Sequence, residues 1–243
     1  MKVLLLDGHP DKGRLSSHLL DHYRDNLPSD CAVEHVAVRD LAFDPVLRHG
    51  YRQRTPWEPD VAAFAQKLDA CDHLVVSFPM WWGAEPAELK GLLDRVLLPG
   101  FAFAYHADDP WWDKLMAGRS ADVIVTMDTP PLFLRFVYGN ALMKRWKRQI
   151  LGFCGFAPVR MVACDAVKDG GVEKDLGKWK RKIAQMAASI KTKSPHKKTA
   201  RLERFLAPAP QDAEKARTDG SLTPARPSTP RARSPRPRPA RGR

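Results

Sequence analysis

The sequence predicts an α/β protein, a doubly wound five-stranded parallel sheet with helices on both faces, followed by a disordered basic tail. Three observations predict it. Short runs that are apolar on both faces recur through the first 190 residues, as strands buried on both sides require. Stretches with helical spacing of apolar residues separate them. Five such units fit an open sheet and fall short of the eight that close a barrel.

The elements follow in order. Lys2 to Leu6 is an apolar run ended by Asp7-Gly8-His9-Pro10, a strand and a turn. Ser16 and Ser17 open an amphipathic helix through Leu27, with Leu19, Leu20 and Tyr23 on one face. Val33 to Val38 reads as a strand with apolar residues on both faces, and residues 42–60, with Pro45, Pro56 and Pro59, as a loop. Val61 to Asp69 is a helix with Val61, Phe64, Ala65 and Leu68 inward. His73 to Phe78 is the third strand, and Pro86 suits the first turn of the next helix, whose buried stripe is Leu89, Leu92, Leu93 and Val96. Asp122 to Met127 and Val159 to Cys164 complete the sheet, with helices over about Phe136 to Leu151 and Val172 to Ile190.

Charge divides the chain at the same place. Residues 1–190 carry 25 Lys+Arg against 24 Asp+Glu, whereas residues 191–243 carry 15 against 4 and nine of the 21 prolines. Two domains are therefore expected, a folded unit over 1–190 and a disordered Pro/Arg-rich tail over 191–243, in which Arg201 to Leu206 has the composition of one helical turn. Weak binding of polyanions or of an anionic membrane surface is the expected use of such a tail. With Phe205 as its only aromatic it lacks base-stacking groups, so no specific nucleic-acid binding is predicted. No apolar run reaches the length of a membrane span and no signal-peptide pattern opens the chain. Cys31, Cys71, Cys154 and Cys164 show neither a CxxC nor metal-ligand spacing, so no metal site is expected. A reduced, cytoplasmic protein is the expectation.

In an open α/β sheet ligands bind beyond the carboxyl ends of the strands, which directs attention to three turns. In Gly8-His9-Pro10-Asp11-Lys12-Gly13-Arg14-Leu15-Ser16-Ser17 the glycines fit neither a dinucleotide fingerprint nor a phosphate loop of the GK[ST] kind. Hydroxyls at a helix start and the positive end of its dipole still suit an anion; the plain alternative is a capping Ser16 and a turn-filling His9. In Phe78-Pro79-Met80-Trp81-Trp82-Gly83 the adjacent tryptophans cannot both enter one core face, so they suit the rim of a pocket for a flat ring, or one packs inward and one outward.

The run F-P-x-x-W-x-x-x-P-A-x-L-K-G over residues 78–91, followed by Asp94-Arg95-Val96 and Gly100-Phe101-Ala102-Phe103, resembles the NAD(P)H:quinone reductase family of flavodoxin-like flavoproteins. The first turn and Phe153-Cys154-Gly155-Phe156 resemble that family too, so the resemblance covers about residues 1–190. It implies a flavodoxin-like fold with non-covalent FAD or FMN, NAD(P)H as co-substrate, and ping-pong hydride transfer to quinones or similar electron-poor acceptors. His9, Leu15, Ser16 and Ser17 would hold the flavin phosphate. Pro79, Met80, Trp81 and Trp82 would run along the isoalloxazine with backbone N–H groups toward its polar edge. Thr126, Met127 and Asp128 would touch the ring from the third turn, although Thr129-Pro130-Pro131 departs from the family's glycine-rich stretch. Tyr138 is the candidate to assist hydride transfer, its alternative being a helix residue packed on the core. A homodimer with the acceptor at the subunit interface is implied as well. A flavin-binding ancillary subunit of a membrane transporter, as some relatives are, is the alternative function, and a flavodoxin-type electron carrier is disfavoured by the F-P-x-x-W turn.

Overall fold

The computed structural model describes residues 1–191 and 202–206. Strand β1 (Lys2–Asp7) leads into helix α1 (Leu15–Asp25), then β2 (Ala32–Ala37), α2 (Pro59–Ala70), β3 (His73–Pro79) and α3 (Ala87–Val96). A short hairpin of β4 (Phe103–Tyr105) and β5 (Trp112–Lys114) follows, antiparallel and apart from the main sheet. Strand β6 (Ser120–Thr126), the short helices α4 (Ala141–Lys144) and α5 (Gly152–Cys154), β7 (Val159–Cys164) and helix α6 (Val172–Ala188) complete the body. The five long strands pair in parallel in the order β2-β1-β3-β6-β7. That is the doubly wound flavodoxin-like arrangement, with its switch point between β1 and β3.

Strands β3 and β6 are buried along their whole length, because helices cover both faces. Side chains alternate across the sheet. Leu4, Leu6, Val76 and Val123 face the layer made by α2, α3 and the 141–154 segment, whereas Val3, Leu5, Val75 and Ile124 face α1 and α6. The expectation that β2 is apolar on both faces is corrected here. It is an edge strand with Ala32 to His35 exposed, and its polar residues meet solvent. The helix expected over Phe136 to Leu151 is also broken. A π-helical turn spans Phe133–Val137, Gly139 and Asn140 take positive φ (58° and 54°), and a helical segment resumes at Ala141 with a π-helical stretch over Arg145–Leu151. Inside α3, Gly91 is required by contact: a Cβ there would lie 2.3 Å from the Pro45 side chain and 2.7 Å from its carbonyl oxygen.

At the amino ends of the strands a buried polar cluster ties α1 and α6 to the sheet. Tyr23 Oη donates to Asp122 at 2.7 Å, Arg160 Nε donates to Asp122 Oδ1 at 2.7 Å, and His73 Nδ1 shares a hydrogen bond with Ser120. Burial opposes ionisation of Asp122, but donors from His73, Arg160 and Tyr23 outweigh it and hold the carboxyl below its ordinary range. The thiols of Cys71, Cys154 and Cys164 are buried, which pushes each up to about 12. Helix α7 (Glu203–Leu206) is the one element described in the expected tail, of which Lys191 and Leu202 are described as well. Its Phe205 stacks on Trp57 at 4.7 Å and meets Phe101 edge-on. The remaining tail residues, with the polyanion-binding expectation, lie outside the described residues. Among the described residues no helix is long and apolar enough to cross a membrane.

Candidate functional site

The site is built from the carboxyl ends of β1, β3 and β6, which the parallel register brings side by side: Asp7 pairs with Ser77, and Pro79 with Thr126. Asp7 is fully buried and organises the first turn. It accepts from Ser17 Oγ at 2.6 Å, from Arg39 Nη1 at 2.6 Å and from the N–H of His9 at 3.1 Å. Arg39 also donates to the His9 carbonyl, so the loop from strand to helix is pinned at both ends. His9 Nδ1 accepts the N–H of Asp11, which leaves Nε2 as the protonated nitrogen of the neutral ring. Burial lowers the His9 pKa below the usual histidine value, against the opposing pull of Asp7 and Asp11.

Helix α1 starts at Leu15, with Arg14 at its N-cap making no side-chain capping bond. The alternative of a capping Ser16 is excluded: Ser16 lies inside the first turn, 1% exposed, and its Oγ has no hydrogen-bond partner. The N–H groups of Leu15, Ser16 and Ser17 also find no acceptor in the described chain, and no acidic residue occupies that turn. Three free donors, an orphaned hydroxyl and an uncompensated helix dipole make an anion site. Ser17 joins through its N–H only, since its hydroxyl proton is given to Asp7.

Across the switch point, Trp81 and Ala84 exchange two backbone hydrogen bonds (2.8 and 2.9 Å) and close a two-residue turn. Trp82 and Gly83 sit at φ of 50° and 73°, the left-handed pair such a turn demands. Glycine adopts this freely, whereas a tryptophan there costs about 1–2 kcal/mol. Trp82 is fully exposed (105%) and Trp81 nearly half exposed (46%), so neither packs in the core. The edge of His9 meets Trp81 with centroids 5.6 Å apart, which joins the anion site to the aromatic turn. A strained, exposed aromatic beside free N–H donors is how a protein presents a platform to a flat ligand.

The backbone donors differ from expectation, and the correction is specific. Pro79 is buried and has no N–H, Met80 donates to the Thr126 carbonyl at 2.8 Å, and Trp81 donates to Ala84. The N–H groups without acceptors in this turn are those of Trp82 and Gly83. In the third turn Met127 is corrected too: its side chain is buried, its N–H goes to Cys164 and its carbonyl accepts from Val167. Asp128 turns away toward Lys168, accepting its backbone N–H at 3.0 Å and pairing with Nζ at 3.1 Å. Thr126 remains at the strand end. Tyr138 is 57% exposed at the end of the Phe133–Val137 turn, which excludes the core-packing alternative.

Two groups escaped sequence reasoning. One is the Asp7–Arg39 pair. The other is Glu85, which follows the tryptophan turn with its side chain wholly buried against Arg145 and Trp146. A cavity of about 220 Å³ between α3 and the 145–151 stretch is lined by Tyr51, Lys90, Leu93, Tyr105 and Ile150. It lies off the strand ends and lacks the free backbone donors.

A family model described as a flavodoxin-like fold matches residues 1–188. The chain is 28% identical over 193 residues to the FMN-dependent NADH:quinone oxidoreductase of Azotobacter vinelandii, covering 72% of this chain and 90% of that one. It is 36% identical over 104 residues to the NAD(P)H dehydrogenase [quinone] 1 of Rattus norvegicus, a match that spans 40% of this chain and 36% of the rat protein. Among solved structures, Smu.1420 of Streptococcus mutans superposes with a TM-score of 0.67 at 28% identity, covering 78% of this chain and all of that one.

Proposed function

The chain belongs to this flavodoxin-like fold family, and from that premise we propose that it is an FMN-dependent NAD(P)H:quinone oxidoreductase. One observation carries the reading. At the switch point, an anion site with three free N–H groups and an orphaned hydroxyl touches, through His9 and Trp81, an exposed and strained two-tryptophan turn. Phosphate at one end and a flat ring at the other describe a flavin mononucleotide.

The residues present fit that group. Leu15, Ser16 and Ser17 hold the phosphate by their N–H groups, with Ser16 Oγ as a further donor, and His9 in the same loop offers its Nε2–H as another donor. Trp81 and Trp82 cover the ring, and the N–H groups of Trp82 and Gly83 are the donors left for its polar edge. When bound, the flavin would supply the chemistry, accepting a hydride from NAD(P)H and, in the second half of a ping-pong cycle, giving it up with a proton from solvent to form the hydroquinone. The protein positions the partners and excludes water. Tyr138 offers its phenol to a carbonyl oxygen of the acceptor.

The surface beside the site suits an anionic dinucleotide. Residues 129–164 contain no Asp or Glu. Arg135, Lys144, Lys147 and Arg148 form no ion pair among the described residues, and the three on the helical segment are exposed. Such a field speeds encounter with negatively charged ligands. The reading includes a homodimer, because Leu132, Phe133, Phe136, Val137 and Tyr138 are all more than half exposed, an apolar ridge of the kind a second copy covers. The relatives are named as oxidoreductases, which leaves the ancillary transporter subunit without support. The test is a fluorescence titration of the purified chain with FMN and, separately, FAD. Saturable binding of one FMN per chain supports the reading, and failure to bind either flavin refutes it.

A further inference from the structure

We propose that Glu85 is a positioning residue that clamps the Trp81–Ala84 turn from beneath, so that the strained Trp82 is held by a buried charge and not by packing of its own. The consequence for flavin binding rests on the oxidoreductase reading; the clamp itself does not.

Trp82 gains nothing from the core, since its side chain is fully exposed at positive φ. Something else must fix the span from Phe78 to Glu85. Trp146 touches both ends of it. Its ring stacks on Phe78 at 4.7 Å, just before the turn, and its Nε1 donates to Glu85 Oε2 at 3.0 Å, just after it. Trp146 is itself fully buried, so both contacts have one fixed anchor. Arg145 closes the bracket with an ion pair to the same Glu85 oxygen.

Glu85 is costly where it sits. Its side chain is wholly buried, and its second oxygen, Oε1, has no hydrogen-bond partner. A core position that only needed filling would be better served by a leucine or methionine, because a half-satisfied buried carboxylate is expensive. What the carboxylate adds is direction: it draws the exit of the turn onto a guanidinium and an indole N–H borne by the segment after Asn140. The turn's own hydrogen bonds, Trp81 to Ala84 and Met80 to Thr126, fix its shape, and Glu85 fixes its place.

The experiment compares wild type, E85Q and the double variant E85M/R145M, which removes both charges and strands neither. Amide hydrogen exchange of Met80, Trp81 and Ala84, the hydrogen-bonded amides of residues 79–86, is read in flavin-free protein, alongside the melting temperature and the FMN dissociation constant. The double variant is expected to fold but to melt below wild type, because the buried Trp146 N–H loses its acceptor, while the Met80, Trp81 and Ala84 amides exchange about ten-fold faster or more. FMN binding weakens by a similar factor, and E85Q, which keeps an acceptor for Trp146, falls between. A folded double variant with unchanged exchange and unchanged FMN affinity overturns the proposal, as does faster exchange spread evenly over the whole chain. If E85M/R145M fails to fold, E85Q decides by the same two readings. If wild type binds no FMN the oxidoreductase reading falls, and the exchange of those three amides alone decides the clamp.

Discussion

Replacing Trp82 by glycine separates stability from function in one substitution. Trp82 is fully exposed and makes no ring contact in the described chain, so deleting its side chain removes no core packing. Its φ of 50° is one that glycine takes without penalty. Relief of the left-handed strain is worth about 1–2 kcal/mol, and the extra freedom of an unfolded glycine costs back about 0.5–1 kcal/mol. The W82G protein free of flavin should therefore be as stable as wild type or up to about 1.5 kcal/mol more stable. Alanine, which keeps the strained φ, should give no such gain. Flavin binding goes the other way, because the stacking platform is lost. About 0.5–1.5 kcal/mol of aromatic contact corresponds to a roughly two- to thirteen-fold weaker FMN dissociation constant. Denaturant unfolding of the apoprotein gives the first number and fluorescence titration the second. A W82G apoprotein destabilised by more than about 1 kcal/mol, or one that binds FMN as wild type does, would refute the reasoning.

Three further outcomes follow from named contacts. Removing the orphaned hydroxyl in S16A should leave apoprotein stability unchanged or slightly raised, and weaken FMN binding about ten-fold, since a hydroxyl bond to a charged group is lost; unchanged binding would take Ser16 out of the phosphate site. Y138F should lower the rate of quinone reduction on the order of 100-fold if its phenol donates to the acceptor, with the FMN dissociation constant unmoved; an equal rate in steady-state assays would reduce Tyr138 to a surface residue. In R160M, Asp122 loses its guanidinium while remaining buried, for a cost of about 3 kcal/mol. The folded pKa of Asp122 lies below the ordinary 3.8, so its contribution is complete above that value and is lost as pH falls through the lower folded pKa. The acid-unfolding midpoint of R160M, followed by circular dichroism, should move to higher pH, and an unmoved midpoint would count against this assignment.

The sheet was legible because each of its central strands is buried on both sides and must be apolar throughout. Lys2 to Leu6 and His73 to Phe78 could have no other reading, and the structure starts both strands at the residues read from sequence. β2 misled because an edge strand obeys a weaker rule, its apolar residues being neither required nor buried. The β4–β5 hairpin carries three residues per strand, too few for a period to show. The break at Gly139 and Asn140 was hidden inside a run whose helical spacing resumes on the far side.

At the site, local chemistry could be read and pairing at a distance could not. The two tryptophans announced themselves because no single core face accepts both, and the motif around them identified the turn. Which backbone donors are free depends on Met80 meeting Thr126 and Met127 meeting Cys164, partners set by the sheet and absent from any local pattern. The same holds for Asp7 with Arg39, 32 residues away, and for Glu85 with Arg145 and Trp146, 60 and 61 residues away. A buried carboxylate looks in sequence like any surface acid. Only its distant partner distinguishes it.

The central claim is that electrons pass from a nicotinamide to a quinone through a flavin held at the β1–β3 switch point. Anaerobic absorbance spectroscopy of the FMN-loaded chain tests it most directly. NADH or NADPH is added first, and a quinone after the excess nucleotide has been removed. The result expected is bleaching of the flavin band by the nucleotide and its full return with the quinone, each at one equivalent per chain. A flavin band that the nucleotides leave unbleached, or that the quinone fails to restore, would contradict it.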